Sequence, residues 1–235
     1  MNTLRELYGR IVLQLRGRHH VVGWAMAPAE AVAFIRGLRK TVLTLIGFSV
    51  NYEDEKGMLA IAKKVLASYP PATTLVNIGV TKGGLGAVYP MAKSMGYTTT
   101  GIVTTEAFAF YNDISEHVDH ICFVKDELWG GYIPGSKKLS PTSRAMVDCS
   151  DVLIGIGGND VARDELLAAR ELGKPVQFFP AEMNHKEAIR NAQNGDKPIP
   201  TSFLGSAHEV FGTTQAASTS SARTLHKKPT IKFRP

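Results

Sequence analysis

The stretch Thr74-Leu75-Val76-Asn77-Ile78-Gly79-Val80-Thr81-Lys82-Gly83-Gly84-Leu85-Gly86 decides the fold. Its first half is a short run of mostly apolar and β-branched residues, the composition of a buried strand. Its second half crowds glycines into positions 83, 84 and 86 and runs straight into a helical pattern over Gly86–Met95. Strand, glycine turn and helix in that order open a βαβ unit. Glycines there let backbone N–H groups approach an anion, and the helix N-terminus adds partial positive charge. No Gly-Lys-Ser/Thr follows, so the stretch is not a P-loop, and its spacing is not Gly-x-Gly-x-x-Gly. In its βαβ setting, Lys82, Gly83, Gly84, Leu85 and Gly86 are read as a phosphate-binding loop.

The same alternation extends in both directions. Strands are expected at Val42–Ser49, Thr74–Gly79, Thr99–Thr104, His120–Val124, Val152–Ile156 and Pro175–Phe179. Helices are expected at Glu53–Ser68, Gly86–Met95, Pro141–Cys149, Val161–Leu172 and His185–Gln193. Strands such as Val152-Leu153-Ile154-Gly155-Ile156 are apolar throughout, which fits a sheet covered on both faces. The expected class is a Rossmann-like, doubly wound α/β fold with a mostly parallel sheet of about six or seven strands. Residues 1–40 are read as a helical extension packing on the core, with helices at 3–16 and Pro28–Arg39. Residues 41–212 form the Rossmann-like domain, and 213–235, rich in Ser, Thr and Ala and then basic, form a poorly ordered tail.

Composition narrows the function classes. The chain has 235 residues, enough to bury a full core, and a net charge of +6. That charge sits at the ends. Residues 1–40 carry seven bases against two acids and 210–235 carry five bases and no acid, whereas 41–209 carry fifteen bases against nineteen acids. A solvated basic tail accounts for this pattern better than a nucleic-acid interface does, although the tail leaves nucleic acid open as a partner. Apolar runs fall short of the roughly 20 residues that span a bilayer, and Arg5, Glu6 and Arg10 interrupt the N-terminal apolar residues. The expectation is a soluble cytoplasmic protein that does not meet a membrane. Cys122 and Cys149 form no CxxC pair and are expected to be buried.

Ligands of open parallel sheets collect at the carboxyl ends of strands. Three stretches therefore matter besides the loop at 82–86. After the first strand come Gly47-Phe48-Ser49, where Ser49 either meets a ligand oxygen or caps the turn. After the fifth come Gly157-Gly158-Asn159-Asp160, where the paired glycines permit close ligand approach and Gly157, Gly158 and Asn159 are read as phosphate-binding, leading into a helix with Asp164 and Glu165. These acids either serve a ligand or simply favour the helix dipole. After the fourth comes a glycine-rich loop with Trp129, Tyr132 and Lys137, read either as a ligand lid or as a surface loop. His117 and His120 make an HxxH pair without a third ligand at metal spacing, so neither a metal nor a cofactor is assigned.

The blocks Asn77–Val103 and Ser143–Val176 resemble the glycine loop and the second glycine motif of the SLOG superfamily, to which the Lonely Guy and lysine decarboxylase-like proteins belong. With Gly47-Phe48-Ser49, the resemblance covers about residues 41–190. It implies a nucleotide-type small-molecule ligand and a homodimer. It also implies either hydrolysis of the N-glycosidic bond of a nucleoside 5′-monophosphate or a non-catalytic nucleotide sensor. In the hydrolases an arginine and a glutamate carry the chemistry, which puts Arg144 and either Glu165 or Asp164 in those roles. The sequence departs from the family pattern there. Ile156 replaces a proline, Asp160 a glycine and Val161 a threonine. Arg144 lies seven residues before Asp151, where the family's arginine lies about nine before its aspartate.

Overall fold

The computed structural model describes residues 13–15, 18–20, 22–196 and 198–212. Seven parallel strands form one sheet: β3 (Val22–Met26), β4 (Thr41–Gly47), β5 (Thr74–Ile78), β6 (Thr98–Thr104), β7 (His120–Val124), β8 (Val152–Ile156) and β9 (Val176–Phe179). Ahead of them, β1 (Leu13–Leu15) and β2 (Arg18–His20) pair antiparallel. Among the described residues the helices are α1 (Pro28–Gly37), α2 (Glu55–Leu66), α3 (Val88–Ser94), α4 (Pro141–Cys149), α5 (Asp160–Glu171) and α6 (His185–Asn194), with a further helical stretch at 206–212.

Side chains along the central strands alternate between two apolar layers, as period-2 geometry requires. On β4, Leu43 and Leu45 meet Met58 and Ala62 of α2, while Val42 joins Ile35 of α1 and Ala145 of α4. On β8, Ile154 and Ile156 face the α2 side, while Leu153 packs with Leu166 of α5. The α/β expectation therefore holds, with helices on both faces of the sheet. Both cysteines are buried, and burial pushes their thiols up to about 12.

A polar seam lies inside this core. Asn77 Nδ2 donates to Thr44 Oγ1 at 3.2 Å, its Oδ1 accepts from Thr100 Oγ1 at 2.9 Å, and Ser150 Oγ donates to the Met146 carbonyl at 2.6 Å. Buried amides need such partners. The Thr44 and Ser150 hydroxyls share a further hydrogen bond at 2.5 Å, which fastens the end of α4 to the central strands.

The strand order is β3-β7-β6-β5-β4-β8-β9. The chain winds outward from β4 through β7, then returns to lay β8 on the other side of β4. The switch point therefore opens between the carboxyl ends of β4 and β8, where Gly47 pairs with Ile156.

Two expectations change. The helix read over 3–16 is not present at its end, because Leu13–Leu15 is a strand; residues 3–12 and 16 lie outside the described residues, as does the tail 213–235. Val22–Met26, placed in a helical extension, is instead an edge strand of the main sheet, paired with β7. A neighbouring strand offers it a ladder that no local pattern announces.

Candidate functional site

A cavity of about 680 Å³ opens at the switch point. Its wall takes Gly47 at the end of β4 with Phe48 and Ser49 after it, Gly79–Thr81 with Leu85 and Gly86 after β5, and Asn159 with Asp160–Ala162 and Glu165 at the start of α5. The rest comes from Thr104, Phe110, Trp129, Thr142 and a belt of aliphatic side chains. Asp113, Asp160 and Glu165 are the acids of the wall; among the described residues lining it there is no Lys, Arg or His.

The loop at Lys82–Gly86 works differently from a phosphate cradle. The Leu85 N–H donates to the Phe48 carbonyl at 2.9 Å and the Gly86 N–H to the Gly83 carbonyl at 3.1 Å, so both are already used. Lys82 donates its backbone N–H to Asp113 and its ammonium to the Asn112 carbonyl, which turns it toward the 3-10 segment Thr105–Asp113. Lys82, Gly83 and Gly84 do not line the cavity. Gly84 has φ +58, and a Cβ there would collide with the Phe48 carbonyl. The loop's glycines let it tuck under Phe48 and Ser49. It braces the site.

The second glycine loop is also supporting structure. The Gly157 N–H bonds the Phe179 carbonyl at 2.9 Å, and the Gly158 carbonyl accepts from Ala207 at 3.1 Å. Gly158, at φ +127, sits where a Cβ would strike Ala162. Neither lines the cavity. Asn159 does, as the N-cap of α5, yet its side chain caps nothing. The first residues of α5, Asp160–Ala162, line the cavity, and their N–H groups have no side-chain acceptor from the Asn159 cap. Ser49, exposed on the opposite lip, has no hydroxyl partner among the described residues, and Asp54, not Ser49, caps the following helix.

Tyr52 joins the lips from below. Its hydroxyl donates to the Ile156 carbonyl at 2.7 Å and accepts the Phe48 N–H at 3.0 Å. Burial raises its pKa well above the phenol range, so it stays neutral and keeps that donor.

The two acids of α5 have separate positions. Glu165 is 5% exposed and lines the cavity. Its Oε1 accepts from Ser143 Oγ at 2.6 Å, and Ser143 Oγ accepts the Gly131 N–H at 2.7 Å. Burial raises the Glu165 pKa to about 7, the Ser143 bond opposes that rise, and the Asp164 charge adds to it. Asp164 is buried too, but outside the cavity wall. Its Oδ2 accepts the Tyr132 N–H at 2.9 Å and its Oδ1 pairs with Arg163 at 2.8 Å.

Arg144 does not meet the cavity. It is on the outer face of α4, 64% exposed, paired with Asp148 at 3.2 Å. The residues of α4 that reach the cavity are Met146 and Thr142; Thr142 lies nine positions before Asp151, with its backbone N–H bound to Asp126 Oδ2 at 2.8 Å. Helical spacing puts residues 142 and 144 about 200° apart, so only one of them can face the sheet.

Of the glycine-rich loop, Trp129 is in the wall and forms an edge-on pair with Phe110, ring centroids 5.7 Å apart. Both rings are more than half exposed. Tyr132 bridges to Leu139 and Lys137 is exposed; neither lines the cavity. Phe110, Thr142 and Ser143 are the residues that sequence reading missed. Phe110 sits in a 3-10 segment without hydrophobic periodicity, whereas Thr142 was in reach through its spacing from Asp151. His120 packs its ring on Phe34, and among the described residues no group of three or more His, Cys, Asp or Glu could hold a metal ion.

No family model matches the chain, and no curated protein does. Among solved structures, two of the molybdenum cofactor carrier protein from Chlamydomonas reinhardtii are similar. One is 18% identical, with a TM-score of 0.45, covering 78% of this chain and 99% of that one. The other is 17% identical, with a TM-score of 0.44, covering 79% and 99%.

Proposed function

We propose that this chain binds a phosphate-bearing, nucleotide-type small molecule in the switch-point cavity, as a SLOG-type protein. The phosphate is held by the first N–H groups of α5 and the Ser49 hydroxyl, and the heterocycle lies toward Trp129 and Phe110. The observation that carries this reading is the N-terminus of α5, which enters a cavity of about 680 Å³ without a cap from Asn159. The volume suits one nucleotide. With acids but no cation among the described residues of the wall, backbone and hydroxyl donors take the phosphate, so binding depends less on salt than a lysine or arginine clamp would make it.

Calorimetric titration with nucleoside 5′-monophosphates, dinucleotides, the molybdenum cofactor and inorganic phosphate tests this. Saturable binding of a phosphate-bearing ligand, weakened about tenfold by Ser49→Ala, is expected. Equal binding of nucleosides and nucleotides would remove the phosphate from the proposal.

Hydrolysis of the N-glycosidic bond is a second reading, favoured by Glu165. A buried carboxyl with a pKa of about 7 is suited to giving a proton to a departing base near neutrality. Release of free base from a nucleoside monophosphate, lost in Glu165→Gln, supports it. Binding without release leaves a sensor.

A further inference from the structure

Most polar groups around the cavity already have partners. Thr142 is an exception. It is 6% exposed, lines the cavity, and its Oγ1 is buried with no hydrogen-bond partner among the described residues. A buried hydroxyl left unpaired costs about 1–3 kcal/mol, so a native structure that keeps one is expected to complete it in another state. Its N–H is tied to Asp126 and the next residue, Ser143, is tied to Glu165, so the start of α4 is held firmly.

Glu165 supplies the second free group. Ser143 occupies Oε1, leaving Oε2 without a protein partner among the described residues. Gly130 packs on both Ser143 and Val161, which brings the backbone beside Trp129 over the same corner. An aromatic wall, a hydroxyl donor on Thr142 and a carboxylate acceptor on Glu165, which bonds the residue next to Thr142, are thus assembled in one cavity from α4, α5 and the 129–131 loop.

We propose that Thr142 and Glu165 read the edge of the ligand's heterocycle, selecting one that presents a hydrogen-bond donor beside an acceptor. This rests on the ligand being nucleotide-like, and it adds the chemistry of the base. Glu165 Oε2 accepts from a ring or exocyclic N–H, while the Thr142 hydroxyl donates to the neighbouring ring nitrogen or carbonyl oxygen. A heterocycle with acceptors alone leaves Oε2 unpaired and is rejected, because a site built for a hydrogen bond discriminates against the analogue that lacks it.

The test pairs adenosine 5′-monophosphate with purine riboside 5′-monophosphate, which keeps the ring nitrogens and lacks the amino donor. Titrations at pH 8 keep Glu165 mainly ionised. The amino nucleotide is expected to bind at least about tenfold more tightly. Glu165→Gln, whose amide puts a donor where Oε2 was, should erase or invert that preference. Thr142→Val should weaken both nucleotides about tenfold while leaving thermal stability unchanged or raised, since the valine removes an unpaired hydroxyl at constant shape. Thr142→Val that binds both nucleotides like the wild type would overturn the proposal, as would a preference that survives in Glu165→Gln. Adenosine binding as well as its monophosphate would sink the phosphate reading and leave this one standing. If neither nucleotide bound the wild type, both would fall.

Discussion

Ser143 Oγ lies 2.6 Å from Glu165 Oε1 and at the same time accepts the Gly131 N–H at 2.7 Å. One hydroxyl therefore couples a buried carboxyl to the backbone of the loop over the cavity. Replacing Ser143 with alanine removes the bond that favours ionised Glu165 and leaves a buried N–H unpaired. Ser143→Ala should raise the Glu165 pKa above its present value and destabilise the fold by about 1–3 kcal/mol. Carboxyl titration followed by NMR, together with denaturant unfolding, measures both effects. An unmoved pKa would mean that the bond does not form.

Glu165 itself makes stability depend on pH. Its folded pKa, about 7, lies above the unfolded value of 4.5. The folded state thus holds the proton more tightly, and the contribution is fully present below pH 4.5 and lost as pH rises through 7. The shift corresponds to roughly 3 kcal/mol as an upper figure. Glu165→Gln should therefore flatten the stability profile between pH 5 and 8 and be the more stable protein at pH 8. Unfolding midpoints across that range check the sign.

Tyr52→Phe removes the hydroxyl that joins Ile156 to Phe48. A loss of about 1–2 kcal/mol is expected, with weaker ligand binding, because the two lips of the cavity lose their common support. Denaturant unfolding and titration separate the two consequences. Wild-type binding in a destabilised Tyr52→Phe protein would confine the residue to the core.

Gly84→Ala places a side chain at φ +58 against the Phe48 carbonyl. Strain and collision together should cost about 2–4 kcal/mol, more than a glycine substitution in an ordinary turn. Thermal unfolding measures it. A neutral substitution would show that this loop does not brace Phe48.

Arg144→Ala is the contrasting variant. Its guanidinium is 64% exposed and its partner Asp148 follows four residues later on the same helix, so stability should change by less than about 0.5 kcal/mol. Ligand affinity should not change. A large loss of affinity would return Arg144 to the site.

Much of the architecture was legible in the sequence. A continuous apolar run at 152–156, set among segments of helical periodicity, specifies a parallel sheet covered on both faces, because only a strand buried twice needs apolar residues at every position. The carboxyl ends of the strands told where to look for a site, and Ser49, Asn159 and Glu165 do face the cavity there. What a glycine turn does was not legible. At Lys82–Gly86 the glycines predict close approach of something to the backbone, and local sequence cannot say whether a phosphate or the Phe48 carbonyl approaches.

The sequence by itself determined the strand–helix alternation and which backbone turns could come close to a neighbour, since both follow from side-chain period and glycine conformation. Only the tertiary structure decided what those turns meet. Strand order brought β8 back beside β4, helical phase turned Thr142 toward the cavity and Arg144 away from it, and the distant Phe48 carbonyl used up the N–H group of Leu85. Each of these depends on contacts between residues far apart in the chain, which no local pattern records.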